Sequence, residues 1–315
     1  MTEHDRPDPD VLLAALKRNE IRQRRGKLKV FLGMCAGVGK TYAMLEAARR
    51  EFTAGRDVVI GYLETHGRKE TDALAEGLPA IPRRLLSHRG IQLSEFDLDA
   101  ALARKPKLIL VDEFAHSNAP ESRHPKRYQD VLELLDAGID VFTTLNIQHI
   151  ESRAEAVSQI TGVTISETVP DTALTEAEFE LVDLPPDELR ARLMAGKVYL
   201  PDRAATAQDN FFRTGNLSAL RELALRFAAE HVGQDVLEAR QAQGAAAPWK
   251  SGQRLLVAVS ASPTSASLVR WTRRLAGELH ASWLAVFVES TRALSSEDQT
   301  RLARHLALAR ELGAE

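Results

Sequence analysis

At 315 residues, 44% hydrophobic and 27% charged, the chain has the make-up of an ordinary globular protein with room for two domains. A net charge of -3 gives no reason to expect direct nucleic-acid binding, and the single Cys35 excludes an intrachain disulfide and fits a reducing compartment. The polar opening MTEHDRPDPD is no signal peptide, and no window reaches the roughly 18 apolar residues of a membrane span, so a cytoplasmic location is expected.

Residues 1–26 read as a basic, helical extension. Lys17, Arg18, Arg22, Arg24, Arg25, Lys27 and Lys29 cluster without interleaved aromatics, the pattern of a solvated face rather than of a binding patch. From residue 27 short β-rich runs alternate with helical ones. The expected strands are KLKVFLG, DVVIGYLE from Asp57, KLILVDE from Lys107, DVFTTLNI from Asp140, VTISETV from Val163 and FELVDLP from Phe179. Between them TYAMLEAARREFTAG, DLDAALAR, RYQDVLELLDAG and IESRAEAVSQITG carry apolar residues at helical spacing, and Gly55, Gly138 and Gly162 stand where helices end. Such alternation predicts an α/β fold, an open and mainly parallel sheet with helices on both faces.

After about residue 185 the pattern turns helical, with Leu217, Leu220, Leu223, Ala224 and Phe227 on one stripe. This predicts a helical appendix that closes a first domain at residue 240. The stretch 241–252, rich in Ala, Gln and Gly, reads as a linker, and a second β-α-β-α series fills 253–315. Two parallel strands in so short a tail leave unpaired edges, which predicts that the chain stops inside its second domain and is a fragment of something longer.

The chemistry concentrates in GMCAGVGKT, residues 33–41. A strand that runs through a glycine turn into a helix aims successive backbone N–H groups and the helix's positive end at a phosphate. Gly37, Val38 and Gly39 would shape the cradle of an ATP-binding loop, Lys40 would reach the terminal phosphates, and the Thr41 hydroxyl would ligate Mg²⁺. The phosphate-loop pattern places its first glycine where Met34 stands, so the match is incomplete; a tight turn without ligand is the bland alternative. LILVDE then ends an apolar strand in Asp112, expected in the Mg²⁺ shell, and Glu113, placed to activate a water. Beyond other strand ends lie ETHGR, HSNAPESRHPKR and NIQH. There Arg68, Arg123, Lys126 and Arg127 are candidates to sense a terminal phosphate, and Gln148 or His149 to position a water; loop salt bridges and helix caps are the competing roles.

Those stretches, with GKVYLPDRA and NFFRTGNLSALRELALR further on, resemble the N-terminal region of the KdpD family of sensor histidine kinases, which control potassium uptake genes through two-component signalling. A non-glycine residue at the position of Met34 is usual in that family. The resemblance implies a P-loop domain followed by a universal stress protein-like domain, here partial, with membrane spans and a kinase core elsewhere. Phosphotransfer to a response regulator therefore belongs to the remainder of the kinase, and no phospho-acceptor box is found here. The resemblance leaves open a homodimer and a weak ATPase. It also implies, for some members, cyclic di-AMP regulation through a Ser-x-Ser motif and a later Phe-Thr-Ala-x-Tyr. Here Ser260 and Ser262 are followed at the family's spacing by Trp283, Ala285 and Phe287, with only Ala285 and the aromatic character retained. The functions to be weighed are an ATP-binding regulatory region, an ATP-hydrolysing enzyme, and a partner-binding scaffold with a vestigial loop.

Overall fold

The computed structural model describes residues 24–65, 67–88, 91–196, 198, 211–243, 254–279, 281–288 and 295–314. The chain forms two compact units, 1–231 and 232–315. In the first, strands β1 (Leu28–Gly33), β2 (Val58–Tyr62), β5 (Leu108–Val111), β6 (Asp140–Asn146) and β7 (Ala177–Leu181) form one five-stranded sheet in the order β2-β5-β6-β1-β7. Every pairing in it is parallel. The expected α/β sheet is present.

Period-two alternation divides the core between the two faces of this sheet. Leu28, Val30 and Leu32 of β1 join Val59, Ile109, Val111, Val141 and Leu145 on one face. Helices α3 (Leu98–Arg104), α4 (Arg127–Asp136), α5 (Glu151–Thr161), α6 (Pro186–Met194) and the first part of α7 (Thr214–Gln243) cover that face through Leu98, Val131, Val157, Leu189 and Leu220. Phe31, Val58, Ile60, Leu108, Leu110 and Phe142 form the other face. Met44, Leu45 and Ala48 of α1 (Lys40–Thr53) and Leu74 of α2 (Lys69–Ala75) pack on it. Each fully buried Leu, Ile or Phe contributes roughly 1.5–3 kcal/mol by leaving water, which is why strands apolar on both faces hold the centre.

Four features depart from expectation. VTISETV runs extended without a ladder; only Val169 bridges Ile150. Its Val163, Ile165 and Val169 do turn inward, and β7, not this segment, pairs with β1. Strands β3 (Arg84–His88) and β4 (Ile91–Glu95) form an antiparallel hairpin, and α2 follows directly on the ETHGR cluster; neither was expected. Helix α7 continues to Gln243, into the stretch read as linker, because EARQAQ is made of strong helix formers. Residues 1–23 and 244–253 lie outside the described residues, and with them most of the basic extension. Of its described members, Arg25 pairs with Asp136 and Glu176, and Lys29 with Glu178 and Glu180.

In the second unit β8 (Arg254–Ala258) and β9 (Ser282–Val286) pair in parallel, and helices α8 (Ser265–Glu278) and α9 (Ser296–Glu311) pack with them around Val257, Val269, Trp283, Leu302 and Ala309. No helix among the described residues is long and apolar enough to cross a membrane.

Candidate functional site

The loop from Met34 to Gly39 leaves β1 and enters α1 beyond the C-terminal edge of the sheet, the edge where open α/β folds hold their ligands. Met34 and Cys35 are buried as part of the core, so the residue that replaces the pattern's first glycine packs downward. Gly37 and Gly39 have φ of 89° and 107°, backbone conformations that a side chain resists. Lys40 reaches back across the loop and donates from Nζ to the Cys35 carbonyl at 2.9 Å. Burial drives its pKa down to about 8, and pushes that of the Cys35 thiol up to about 12.

Two strand ends meet this loop. Thr41 Oγ1 donates to Asp112 Oδ2 at 3.1 Å, which ties the start of α1 to the end of β5. The other Asp112 oxygen accepts from the Thr144 hydroxyl of β6 and from the Glu113 N–H at 3.0 Å. Asp112 is buried, so this set of donors keeps it in one orientation. Glu113 adopts φ 59°, left-handed for a residue with a Cβ. Burial, and then the neighbouring Asp112 charge, raise its pKa.

Together these residues line a cleft of about 230 Å³, with Arg68, Glu64, Asn146, His149 and Glu167 completing its wall. His149 engages the Glu167 carbonyl through Nδ1 at 2.8 Å, and burial lowers its pKa, which favours the neutral ring. Of the candidates from sequence, Gly37, Gly39, Lys40, Thr41, Arg68, Asp112, Glu113 and His149 are thus brought together. Val38 turns its side chain into the core.

Arg123 and Arg127 are not brought to the cleft. Arg123 pairs with Asp99 at 2.7 Å and Glu133 at 2.8 Å on the outer side of α4. Arg127 is 0% exposed; its Nη2 lies 2.9 Å from Glu95 Oε2, its Nη1 3.6 Å from Glu113 Oε2, and its guanidinium carbon 3.8 Å from the centre of the Tyr62 ring. It braces Glu113 from behind, so its reach toward a phosphate is already spent on the buried Glu95 and the half-buried Glu113. Lys126 donates to the Ser117 hydroxyl at 2.6 Å.

Glu95, Thr144 and Glu167 were not legible as site residues. Thr144 carries a weak signal, as a polar residue inside a buried strand; Glu95 and Glu167 carry none, since their partners lie far away in sequence. In the second unit, Ser260 and Ser262 form a hydroxyl-rich turn with Ser265 and Thr264, while Trp283 is buried in the core with Ala285 and Phe287 packed beside it.

The model of the family described as "KdpD: Osmosensitive K+ channel His kinase sensor domain" matches residues 24–232, a range that contains the whole cleft. The chain belongs to the KdpD family. It is similar to the sensor protein KdpD of Escherichia coli strain K12, 51% identical over 313 residues, which are 98% of this chain and 35% of that protein. The sensor protein KdpD of Clostridium acetobutylicum is 45% identical over 99% of this chain and 35% of its own length. A Synechocystis relative named for the same sensor is 46% identical over 87% of this chain and 73% of its own length. This chain therefore spans about a third of the first two KdpD proteins.

Proposed function

We propose that the chain is the ATP-binding regulatory region of a sensor histidine kinase in a two-component system that governs potassium uptake genes. It acts on the cytoplasmic side, through the remainder of the kinase and so on a response regulator. The observation that carries the proposal is the Thr41–Asp112 bond, which joins the glycine loop to the acidic end of β5 around one cleft. A phosphate-binding loop supplies cation and backbone donors, a magnesium shell needs a hydroxyl and a carboxylate, and here the two sets converge.

The residues fit the nucleotide and its metal. Gly37 and Gly39 keep the loop free of side chains on the approach, Lys40 exchanges the Cys35 carbonyl for phosphate oxygens, and Arg68 adds a second cation. Thr41 and Asp112 would hold Mg²⁺, which when bound neutralises phosphate charge. The first unit is then a P-loop domain and the second a partial universal stress protein-like domain. Cyclic di-AMP is left out of the proposal because the Trp283 ring is committed to the core.

Hydrolysis is the second reading, favoured by Glu113. Its strained backbone and the Arg127 brace hold a carboxylate of raised pKa at the cleft, the setting of a group that accepts a proton from water. Calorimetric titration of ATP with Mg²⁺, with phosphate release followed in parallel, separates the readings. ATP binding lost in Lys40→Ala supports the regulatory one, and turnover lost in Glu113→Gln adds the enzymatic one. Failure of the unmutated chain to bind ATP sinks both.

A further inference from the structure

The cleft is short of positive charge. Glu64, Asp112, Glu113 and Glu167 line it against the cations Lys40 and Arg68. A nucleoside triphosphate brings several more negative charges, which Mg²⁺ offsets only in part.

One cation stands at the loop's rim. Arg192 of α6 places Nη1 3.4 Å from the Gly37 carbonyl oxygen, and a methyl group built on Gly39 would lie 3.7 Å from the same nitrogen. Among the described residues Arg192 pairs with no carboxylate, whereas Arg25, Arg56, Arg104, Arg123, Arg153 and Arg221 all do. A long contact from an exposed guanidinium to a neutral carbonyl gains little, and among the described residues its other donors have no partner. The helix beneath it makes two contacts that relate it to the loop and to α7. Leu189 is fully buried against the loop, and Arg190 Nη1 donates to Thr214 Oγ1 at 2.8 Å, at the start of α7.

We propose that Arg192 is a further nucleotide-binding residue, a cation that α6 supplies to the terminal phosphate of ATP held by the glycine loop. The inference rests on the ATP-binding reading above. On binding, the guanidinium gives up the Gly37 carbonyl for phosphate oxygens, which an arginine engages with two parallel hydrogen bonds. ADP lacks that phosphate, so α6 would be held by one nucleotide and not by the other. Through the Arg190–Thr214 contact that difference reaches the first turn of α7, a path by which the loop's occupancy leaves the site.

The test is calorimetric titration of the full chain with ATP or ADP in the presence of Mg²⁺, for the unmutated protein, Arg192→Ala and Arg192→Lys. Arg192→Ala is expected to weaken ATP binding about tenfold and ADP binding less than about threefold, with the lysine variant between, as loss of a charge-assisted bond to one phosphate implies. Thermal unfolding without nucleotide should not change, since the side chain is exposed. Hydrogen exchange across residues 186–194 should slow more with ATP than with ADP, and Arg192→Ala should erase the difference. ATP affinity within about twofold of the unmutated chain overturns the inference, and so do equal losses for ATP and ADP, which mark a residue that only braces the loop. An unmutated chain that binds no ATP refutes the underlying reading instead, and is told apart by that control.

Discussion

Lys40 illustrates how one buried charge links stability, pH and binding. Its ammonium is taken from water and given one carbonyl at 2.9 Å, which leaves its pKa near 8 against an ordinary 10.5. Between about pH 8 and 10.5 the unfolded chain holds the proton that the folded chain has lost, so the contribution of Lys40 to stability rises with pH there; below pH 8 the buried charge costs stability. Lys40→Met should therefore be more stable than the unmutated chain at pH 7, by on the order of 3 kcal/mol, with the gap shrinking toward pH 10. Urea unfolding at pH 7 and pH 9.5 measures it, and a gap independent of pH would refute the assignment. Arg127 shows the opposite case, a buried charge whose two Nη atoms face carboxylates, although its Nε has no hydrogen-bond partner among the described residues. Arg127→Met leaves the buried Glu95 carboxylate with only the Ala119 N–H and His116 as partners and should cost about 3–5 kcal/mol in chemical denaturation, part of which the double variant with Glu95→Gln should restore. HSNAPESRHPKR shows where its arginines lie along the chain, and β4 supplies the Glu95 that claims one of them. A partner 32 residues away in sequence leaves no local trace.

At the level of elements, the glycine loop is constrained by Leu189 of α6 and by Val198 beyond that helix. A Cβ on Gly37 would come within 2.6 Å of Val198 Cγ2, at a φ of 89° that already disfavours it. Gly37→Ala should cost about 1–3 kcal/mol in thermal unfolding and weaken ATP binding. Adding Val198→Ala should relieve the overlap and recover part of the stability, while the backbone strain stays; no recovery at all would show that the contact is not made. Helices and central strands were legible because their apolar spacing is set by their own burial. The hairpin β3–β4 and the unpaired run from Val163 were not, because strand pairing is decided by which edge is free.

For the whole molecule, the two units have separate cores, one spread over both faces of the five-stranded sheet and one around Trp283. A ligand held by the glycine loop should stabilise only the unit that contains it. ATP with Mg²⁺ at about 100 times its dissociation constant should add about 2.7 kcal/mol to the unfolding of the first unit and leave the second unmoved. Differential scanning calorimetry should resolve this as one shifted and one stationary transition; equal shifts would mean that the units unfold together.

By itself the sequence determined the α/β alternation, the strand-loop-helix around Lys40 and Thr41, and the acidic end of β5, since each is written in neighbouring residues. The tertiary structure decided which of the polar strand ends share a cleft. Strand order puts β6 between β1 and β5, so Thr144 bridges to Asp112 and His149 faces the loop, while Arg127 is drawn under Tyr62 and away from it. The same packing lays Arg192 against Gly37 across 155 positions of sequence. Spacing along a chain records local geometry, whereas which charge finds which partner is set by the minimum in burial cost of the whole fold.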